Sequence, residues 1–370
     1  MNQPKLNPPF RADHVGSLLR RREIFAAREK VADGSMTRSE LREVEDKAIA
    51  DMIPELEATG IQAITDGEYR RAWFHLDFLE QLEGVTVTGH IASSSDSEGK
   101  VGMSPPKITV TGKLGHQHDI QVKDYEFVAA HTDRHPKVCI PSPTMAHFRG
   151  GRAGIDIESY PDLDIFFEDL AQAYRDEIAH LYVAGCRYIQ LDDTNLAYLC
   201  DPKMRQGAVD RGDDPDELPR TYAALINAAI RDVPDDMTTA VHLCRGNYKS
   251  TFFASGGYEP VAEVLFQELA VDAYFLEYDD ERSGDFAPLR HVPSSKTVVL
   301  GLVTSKTPEL ESQDELLSRI EEASHYVGAD QLCLSPQCGF ASTMEGNALT
   351  EDEQWTKLRL VTSTAEKAWG

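Results

Sequence analysis

The sequence predicts an α/β fold, a (β/α)8 TIM barrel with a β-hairpin inserted after the second strand. Three observations predict it. Short apolar, β-branched runs alternate with longer segments of helical spacing through most of the chain, a rhythm that implies parallel strands joined by crossovers. There are eight such runs, the number that closes a barrel; an open doubly wound sheet is the other arrangement the rhythm allows. Residues able to carry chemistry also fall at the ends of the later runs, and in a parallel barrel every strand's carboxyl end opens on the same face.

In chain order the runs end near His14–Ser17, Ile61–Gly67, Val138–Pro143, Arg187–Asp193, Thr238–Cys244, Ala273–Tyr278, Thr297–Val303 and Gln331–Ser335. Between them, Leu163–Ala184 has its apolar residues at helical spacing and Gly185 as a C-cap, and Gln313–Val327 is a second helix ended by Gly328. From about Val85 to Asp133 the rhythm fails. GHIASSSDSEGKVGMSPP reads as a flexible loop and the alternating Lys107–Leu114 as part of a hairpin. Such an excursion is a lid, an oligomer contact or a plain solvated loop. With no repeat and no linker composition, residues 1-370 read as a single barrel domain with an insertion at about 85-133.

Composition narrows the partners. Asp+Glu 62 against Lys+Arg 37 gives a formal net charge of -25, which repels nucleic acid and anionic membrane surfaces. No run of about 18 apolar residues and no signal-like N-terminus is visible. The six cysteines are sparse and irregularly spaced, as expected of free thiols or metal ligands in a cytoplasmic protein. Nothing in the sequence sets the oligomeric state; a homodimer is compatible with it.

His242 and Cys244 close the run TTAVHLC two residues apart, and residues i and i+2 of a strand point to one side. Glu277 ends the next run, and Cys338 follows the last one, in a turn shaped by Pro336 and Gly339. Two thiolates, an imidazole and a carboxylate form a four-coordinate Zn2+ set. Ligands drawn from three separate strands, one of them an exchangeable carboxylate, suit a site that admits a further group. A thiol bound there becomes a thiolate, the competent nucleophile, at neutral pH. Taken singly, each of the four also fits an ordinary core position.

The pieces HVGSLLR, ITDGEYRR, IQLDDTNL, VHLCRGN, FLEYDD, LGLVTSKTPELES and LSPQCGF, from about Asp13 to Thr343, occur in an order that resembles the cobalamin-independent methionine synthase catalytic domain. The resemblance implies a zinc-dependent methyltransferase that methylates homocysteine to methionine, with a methyl-folate or methyl-corrinoid as donor. It implies zinc on His242, Cys244, Glu277 and Cys338. It also implies that Ser17 faces the amino-acid carboxylate, that Glu68 and Asp192 hold the ammonium, and that Lys306 stands where the family has a proton-donating His. Asp192 and Asp193 also read as helix-capping residues at a strand end. PSPTMAHFRG lacks the Trp that the family packs on folate, which leaves His147 or Phe148 as partial substitutes; Trp73 reads as a helix-packing residue. Two other functions remain open, an alkyl transferase of the epoxyalkane:coenzyme M type and a non-catalytic zinc-binding protein.

Overall fold

The computed structural model describes residues 8–89, 92–95, 101–104 and 106–370. The loop expectation at GHIASSSDSEGKVGMSPP falls partly outside the described residues. Six parallel strands run in sequence order around the molecule: Val138–Pro141, Tyr188–Asp193, Thr238–Leu243, Ala273–Glu277, Thr297–Val303 and Leu332–Pro336. Each pairs with its sequence neighbours, as in a barrel, rather than with the reversal of order that an open doubly wound sheet requires.

Closure is made by a thinner seam. Ala63–Ile64 pairs in parallel with His135–Pro136, which runs directly into Val138–Pro141. On the far side Ala12 bridges Leu334, with Asp13 N donating to Leu334 O (3.0 Å) and Leu334 N to Arg11 O (2.8 Å). The expected first strand at His14–Ser17 is therefore not a ladder strand. Its place beside Ala63–Ile64 is held by Thr65 Oγ1 donating to Gly16 O (2.7 Å) and Leu18 N donating to Gly67 O (3.0 Å).

Side-chain alternation divides the barrel into an inside and an outside. Tyr188, Ala240, Ala273, Phe275, Val299 and Cys333 pack inside. The intervening residues Ile189, Leu191, Val241, Leu243, Tyr274, Leu276, Val298 and Leu300 belong to the larger core beneath the helices. Lys137 is fully buried within the barrel. Its ammonium is held by His14 O (2.6 Å) and Asp13 (3.3 Å) and lies over the rings of Phe275 (4.2 Å) and Tyr188 (4.9 Å). Further toward the carboxyl ends the inward positions are Gln190 and Asp192, His242, and Glu277, so the interior is polar at that rim.

The helices obey local rules. Thr37 and Glu40 form a capping box at the start of Arg38–Ala58, and Thr350 and Glu353 do so for Glu351–Trp369. Leu163–Val183 starts at the Asp162 cap and ends before Gly185, whose φ of 109° is the left-handed stop expected. Helix Gln313–Ser324 ends earlier than Val327, and Gly328 at φ −55° opens a 3-10 turn instead of capping it.

Two crossovers hold no α-helix. A 3-10 turn and a five-residue π-turn, Val264–Glu268, follow Thr238–Leu243, and only 3-10 turns follow Ala273–Glu277. The segment read as an insertion at 85-133 splits in two. Glu83–Thr88 and Lys107–Gly115 form an antiparallel hairpin, continued by the pair Ala92–Ser95 and Val101–Ser104. Helix Val122–His131 is then the ordinary crossover leading back to His135–Pro136. Among the described residues no helix is long and apolar enough to cross a membrane.

Candidate active site

The strand ends bring the four expected donors together. The ladder between Tyr188–Asp193 and Thr238–Leu243 pairs Asp192 with His242, and one step on Cys244 N donates to Asp193 O (2.8 Å). Extended backbone thus carries His242 and Cys244 inward on the same side. Glu277 ends its strand opposite Gly301. A Cβ at Gly301 would lie 2.7 Å from Leu276 O and 2.7 Å from Gln337 Cα, so only glycine lets the Cys338 turn come this close. That turn is fixed by Gln337 N donating to Val303 O (2.8 Å) and by Ser305 Oγ donating to Gln337 Oε1 (2.7 Å).

One donor atom from each of His242, Cys244, Glu277 and Cys338 lies within 4.8 Å of the others, and the two sulfurs are 3.4 Å apart. All four residues are buried. Both ring nitrogens of His242 and both carboxylate oxygens of Glu277 lack hydrogen-bond partners. Uncompensated burial of such groups costs several kcal/mol or more, and a cation among them removes that cost. The donor set fits a borderline-soft divalent ion.

The electrostatics agree. The hydrogen bond with Cys244 holds the Cys338 thiol well below the usual thiol range against the opposing effect of burial, and the same bond drives Cys244 well above it. His242 is raised despite its burial, through its contact with Cys338, and burial raises Glu277. Behind the set, the buried Arg245 donates to Glu277 O (3.1 Å) and Tyr258 Oη (3.0 Å) and stands 3.8 Å from Glu277 Oε2.

A cleft opens onto these donors, and Ser17, Glu68 and Asp192 line it beside His242, Cys244 and Cys338. Glu68 sits at φ +56° directly after Gly67, a conformation that costs a non-glycine residue roughly 1 kcal/mol or more. Glu68 N donating to Asp66 Oδ1 (2.8 Å) and Arg20 Nη2 donating to Glu68 O (2.7 Å) hold it there. Its carboxylate comes together with Asp192 and the Cys139 thiol, one donor atom from each within 4.8 Å of the others. Burial pushes the Glu68 carboxyl up to about 7, with Arg71 opposing and Asp192 reinforcing. Burial likewise pushes Asp192 up to about 6, eased by His242 and by a hydrogen bond from Gln190. Asp193 serves the local capping role, accepting from Leu196 N (2.8 Å).

Ser17 is knitted to the loop after Cys338. Phe340 N donates to Ser17 O (2.9 Å), Ala341 N to Ser17 Oγ (3.4 Å), and a Cβ on Gly339 would lie 1.9 Å from Ser17 Oγ.

Other residues are placed differently from the sequence reading. Lys306 is not among the residues that line the cleft. It is buried with Nζ 3.7 Å from Asp279 Oδ2, and its charge is felt by Glu277 and Cys338. Neither His147 nor Phe148 lines the cleft; His147 Nδ1 is 2.9 Å from Tyr222 Oη in the outer core. His14 Nε2 is bonded to Ala63 O (2.9 Å), and burial lowers its pKa to about 4.

The aromatic surface instead comes from residues the sequence left unassigned or placed elsewhere. Trp73 lines the cleft, stacked at 10° on Tyr248 with ring centroids 6.4 Å apart, and is pinned by a bridge to Thr343. His75 lines it as well, buried with both ring nitrogens unpartnered. Burial, and then the nearby Arg149, hold its pKa well below the usual histidine value, so the ring is neutral. Only the cluster RRAWFH, dense in cations and aromatics after the Glu68 turn, hinted at these positions.

Residues 10–366 match the family described as the cobalamin-independent synthase catalytic domain. The chain is 47% identical to the uncharacterized protein YxjH of Bacillus subtilis, over 98% of this chain and 95% of that protein. It is 25% identical to the methionine synthase of Pyrococcus abyssi, over 83% and 79% of the two chains. A solved structure of a candidate vitamin-B12-independent methionine synthase from Listeria monocytogenes superposes with a TM-score of 0.79 at 40% identity, covering 100% of both chains. A B12-independent methionine synthase from Shewanella sp. W3-18-1, in complex with selenomethionine, shares the fold at 22% identity, with a TM-score of 0.68 and coverage of 90% and 89%. Matches that span nearly the whole chain, on a barrel with this rim, show that it belongs to the cobalamin-independent methionine synthase family and is a methyltransferase of that type.

Proposed function

We propose that the chain methylates the thiol of homocysteine, giving methionine, with Zn2+ held by His242, Cys244, Glu277 and Cys338. The observation that carries this reading is a buried donor set, in which His242 and Glu277 lack hydrogen-bond partners, beside a buried acidic pair, Glu68 and Asp192, on the cleft. A thiol reaching the donors from an amino acid brings an ammonium group with it. Two carboxylates stabilise that charge. When bound, zinc supplies a Lewis acid that favours the thiolate of the substrate at neutral pH.

The protein's own residues account for the rest. Glu68 and Asp192 bind and orient the ammonium; Ser17 and the backbone of the loop after Cys338 face the carboxylate. Arg245 and Lys306 place positive charge behind Glu277, which limits the cost of gathering anionic donors in a buried site. On this basis Lys306 is a positioning residue rather than an acid that meets the leaving group. Trp73, His75 and Tyr248 form the wall against which the methyl donor lies. An aromatic, uncharged wall suits a flat carrier such as a methyl-folate or the face of a methyl-corrinoid.

A coenzyme M type thiol would place a sulfonate against Glu68 and Asp192, so the acidic pair argues against that alternative. The test is mass spectrometry of the thiol product after incubating zinc-loaded protein with homocysteine and each donor class. Methionine formed with one donor, and lost in Cys338→Ser, supports the reading. Turnover by metal-free protein, or methylation of coenzyme M in preference to homocysteine, overturns it.

A further inference from the structure

A second group of metal-ligating side chains lies away from the cleft, where the hairpin returns to the barrel. His116 and Asp119 stand in the turn between Lys107–Gly115 and helix Val122–His131, and His180 is in the last turn of helix Leu163–Val183. One donor atom from each lies within 4.8 Å of the others. The two imidazole rings meet edge to face with centroids 5.3 Å apart, and His180 Nδ1 is 2.6 Å from Asp119 Oδ1.

Behind them stands Glu177, fully buried one helical turn before His180. Its Oε2 is 2.6 Å from His116 Nε2 and accepts from Ile120 N (3.0 Å), while Oε1 accepts from Gln121 N (2.6 Å). Glu177 is thus fixed by the backbone of the very turn that carries Asp119. With Nε2 committed to Glu177, Nδ1 is the ring nitrogen that His116 has left to offer. A carboxylate bonded to the rear nitrogen of an imidazole is the arrangement that sets tautomer and orientation in metal-ligating histidines. A hydrogen-bonded surface needs only the His180–Asp119 pair; it does not require a second imidazole, oriented from behind, to converge on it.

We propose that His116, Asp119 and His180 form a second divalent-metal site, taking an ion of the Zn2+, Co2+ or Ni2+ kind, with Glu177 orienting His116. Two imidazoles and one carboxylate suit these ions, whereas Mg2+ and Ca2+ prefer oxygen-only sets. The side chains of His180 and Asp119 are about half exposed (54% and 44%), so water completes the coordination. The site shares no residue with the cleft. An ion there ties the turn after the hairpin to helix Leu163–Val183 and clamps the return of the hairpin onto the barrel.

The test is calorimetric titration with Co2+ of protein carrying a single equivalent of zinc, in the cleft, repeated with His180→Ala and Asp119→Ala, both exposed positions that leave the core untouched. The wild-type protein is expected to bind one more equivalent of cobalt than either variant, and its thermal midpoint alone should rise on adding the ion. Cys338→Ser should retain this second equivalent while losing the cleft metal, which separates the two sites whatever the cleft holds. In cobalt-soaked crystals the anomalous peak should lie between His116, Asp119 and His180. Equal binding by wild type and His180→Ala, or no additional equivalent at millimolar cobalt, overturns the proposal.

Discussion

Replacing Glu68 by Gln should strengthen the free protein and weaken its hold on homocysteine, two effects of opposite sign from one atom. The carboxyl is raised from 4.5 to about 7 because burial penalises its charge. At about 1.4 kcal/mol per pKa unit this corresponds to roughly 3 kcal/mol. The sign follows from linkage. The folded protein holds this proton more tightly than the unfolded chain, so the stabilising contribution is full below about 4.5 and is lost as the pH rises through about 7. Above pH 7 the wild type therefore carries a buried charge that Gln lacks. Glu68→Gln should raise the thermal midpoint by a few degrees near pH 8, and the gap should close toward pH 5. The backbone at φ +56° is unchanged by the swap, so strain does not enter the comparison.

With homocysteine bound, the ammonium loses one of its two carboxylates, a truncation that costs about 2 kcal/mol or more for a buried charged pair. The expected KM increase is about 30-fold, with kcat within a few-fold. In the wild type, KM for homocysteine should also rise as the pH falls below about 7 and Glu68 takes up its proton, a dependence the variant loses. Thermal melts and initial rates from pH 5.5 to 8.5 measure both effects. A variant that is less stable at pH 8, or whose KM stays within twofold of wild type, refutes the reasoning.

Three further outcomes are expected. Cys338→Ser should lose the one equivalent of zinc held in the cleft and abolish methyl transfer while leaving the far-ultraviolet circular dichroism intact, checked by elemental analysis and spectroscopy. Trp73→Ala should raise KM for the methyl donor at least tenfold, as expected from about 1.5 kcal/mol of lost stacking, and leave the homocysteine KM within threefold; a steady-state matrix in both substrates separates the two. Gly301→Ala forces a Cβ to within 2.7 Å of Leu276 O and Gln337 Cα, so denaturant melts should show about 1–3 kcal/mol of destabilisation together with weakened zinc retention as the Cys338 turn is displaced.

The donors were legible in the sequence because strand geometry is local: His242 and Cys244 need only a period of two and a strand end, and Glu277 needs only the end of AYFLE. The barrel followed from the same alternation, since residues such as Leu191, Val241, Leu276 and Leu300 must be covered by helices. The seam was not legible in this way. His14–Ser17 has the composition of a strand, yet its neighbours Ala63–Ile64 and Leu332–Pro336 offer it a few bonds and no continuous ladder, which only the three-dimensional register decides. Trp73 was hidden for a related reason. Its orientation depends on Thr343 and Tyr248, contacts that no local pattern encodes. Lys306 stands in the loop after Thr297–Val303 where the resemblance put it, but its pairing with Asp279 Oδ2 at 3.7 Å depends on a neighbouring strand end that no local pattern encodes.

The seam between Ala12 and Leu334 also bears on how the protein is made. Cys338 leaves its strand two residues after Pro336, and its loop is laced to Ser17 at the opposite end of the chain. The fourth of the proposed metal donors therefore reaches its place only after two segments more than 300 residues apart, around Ser17 and Phe340, have met. Such distant pairing is the slow, entropically costly step of folding. With zinc bound as proposed, its loading is expected to be a late checkpoint: a partly opened chain would hold His242, Cys244 and Glu277 on neighbouring strands without the fourth donor needed to retain the metal. Metal retention should thus fall before helix content does when the first twenty residues are displaced, which makes the ion a sensor of whether the circle of strands is complete.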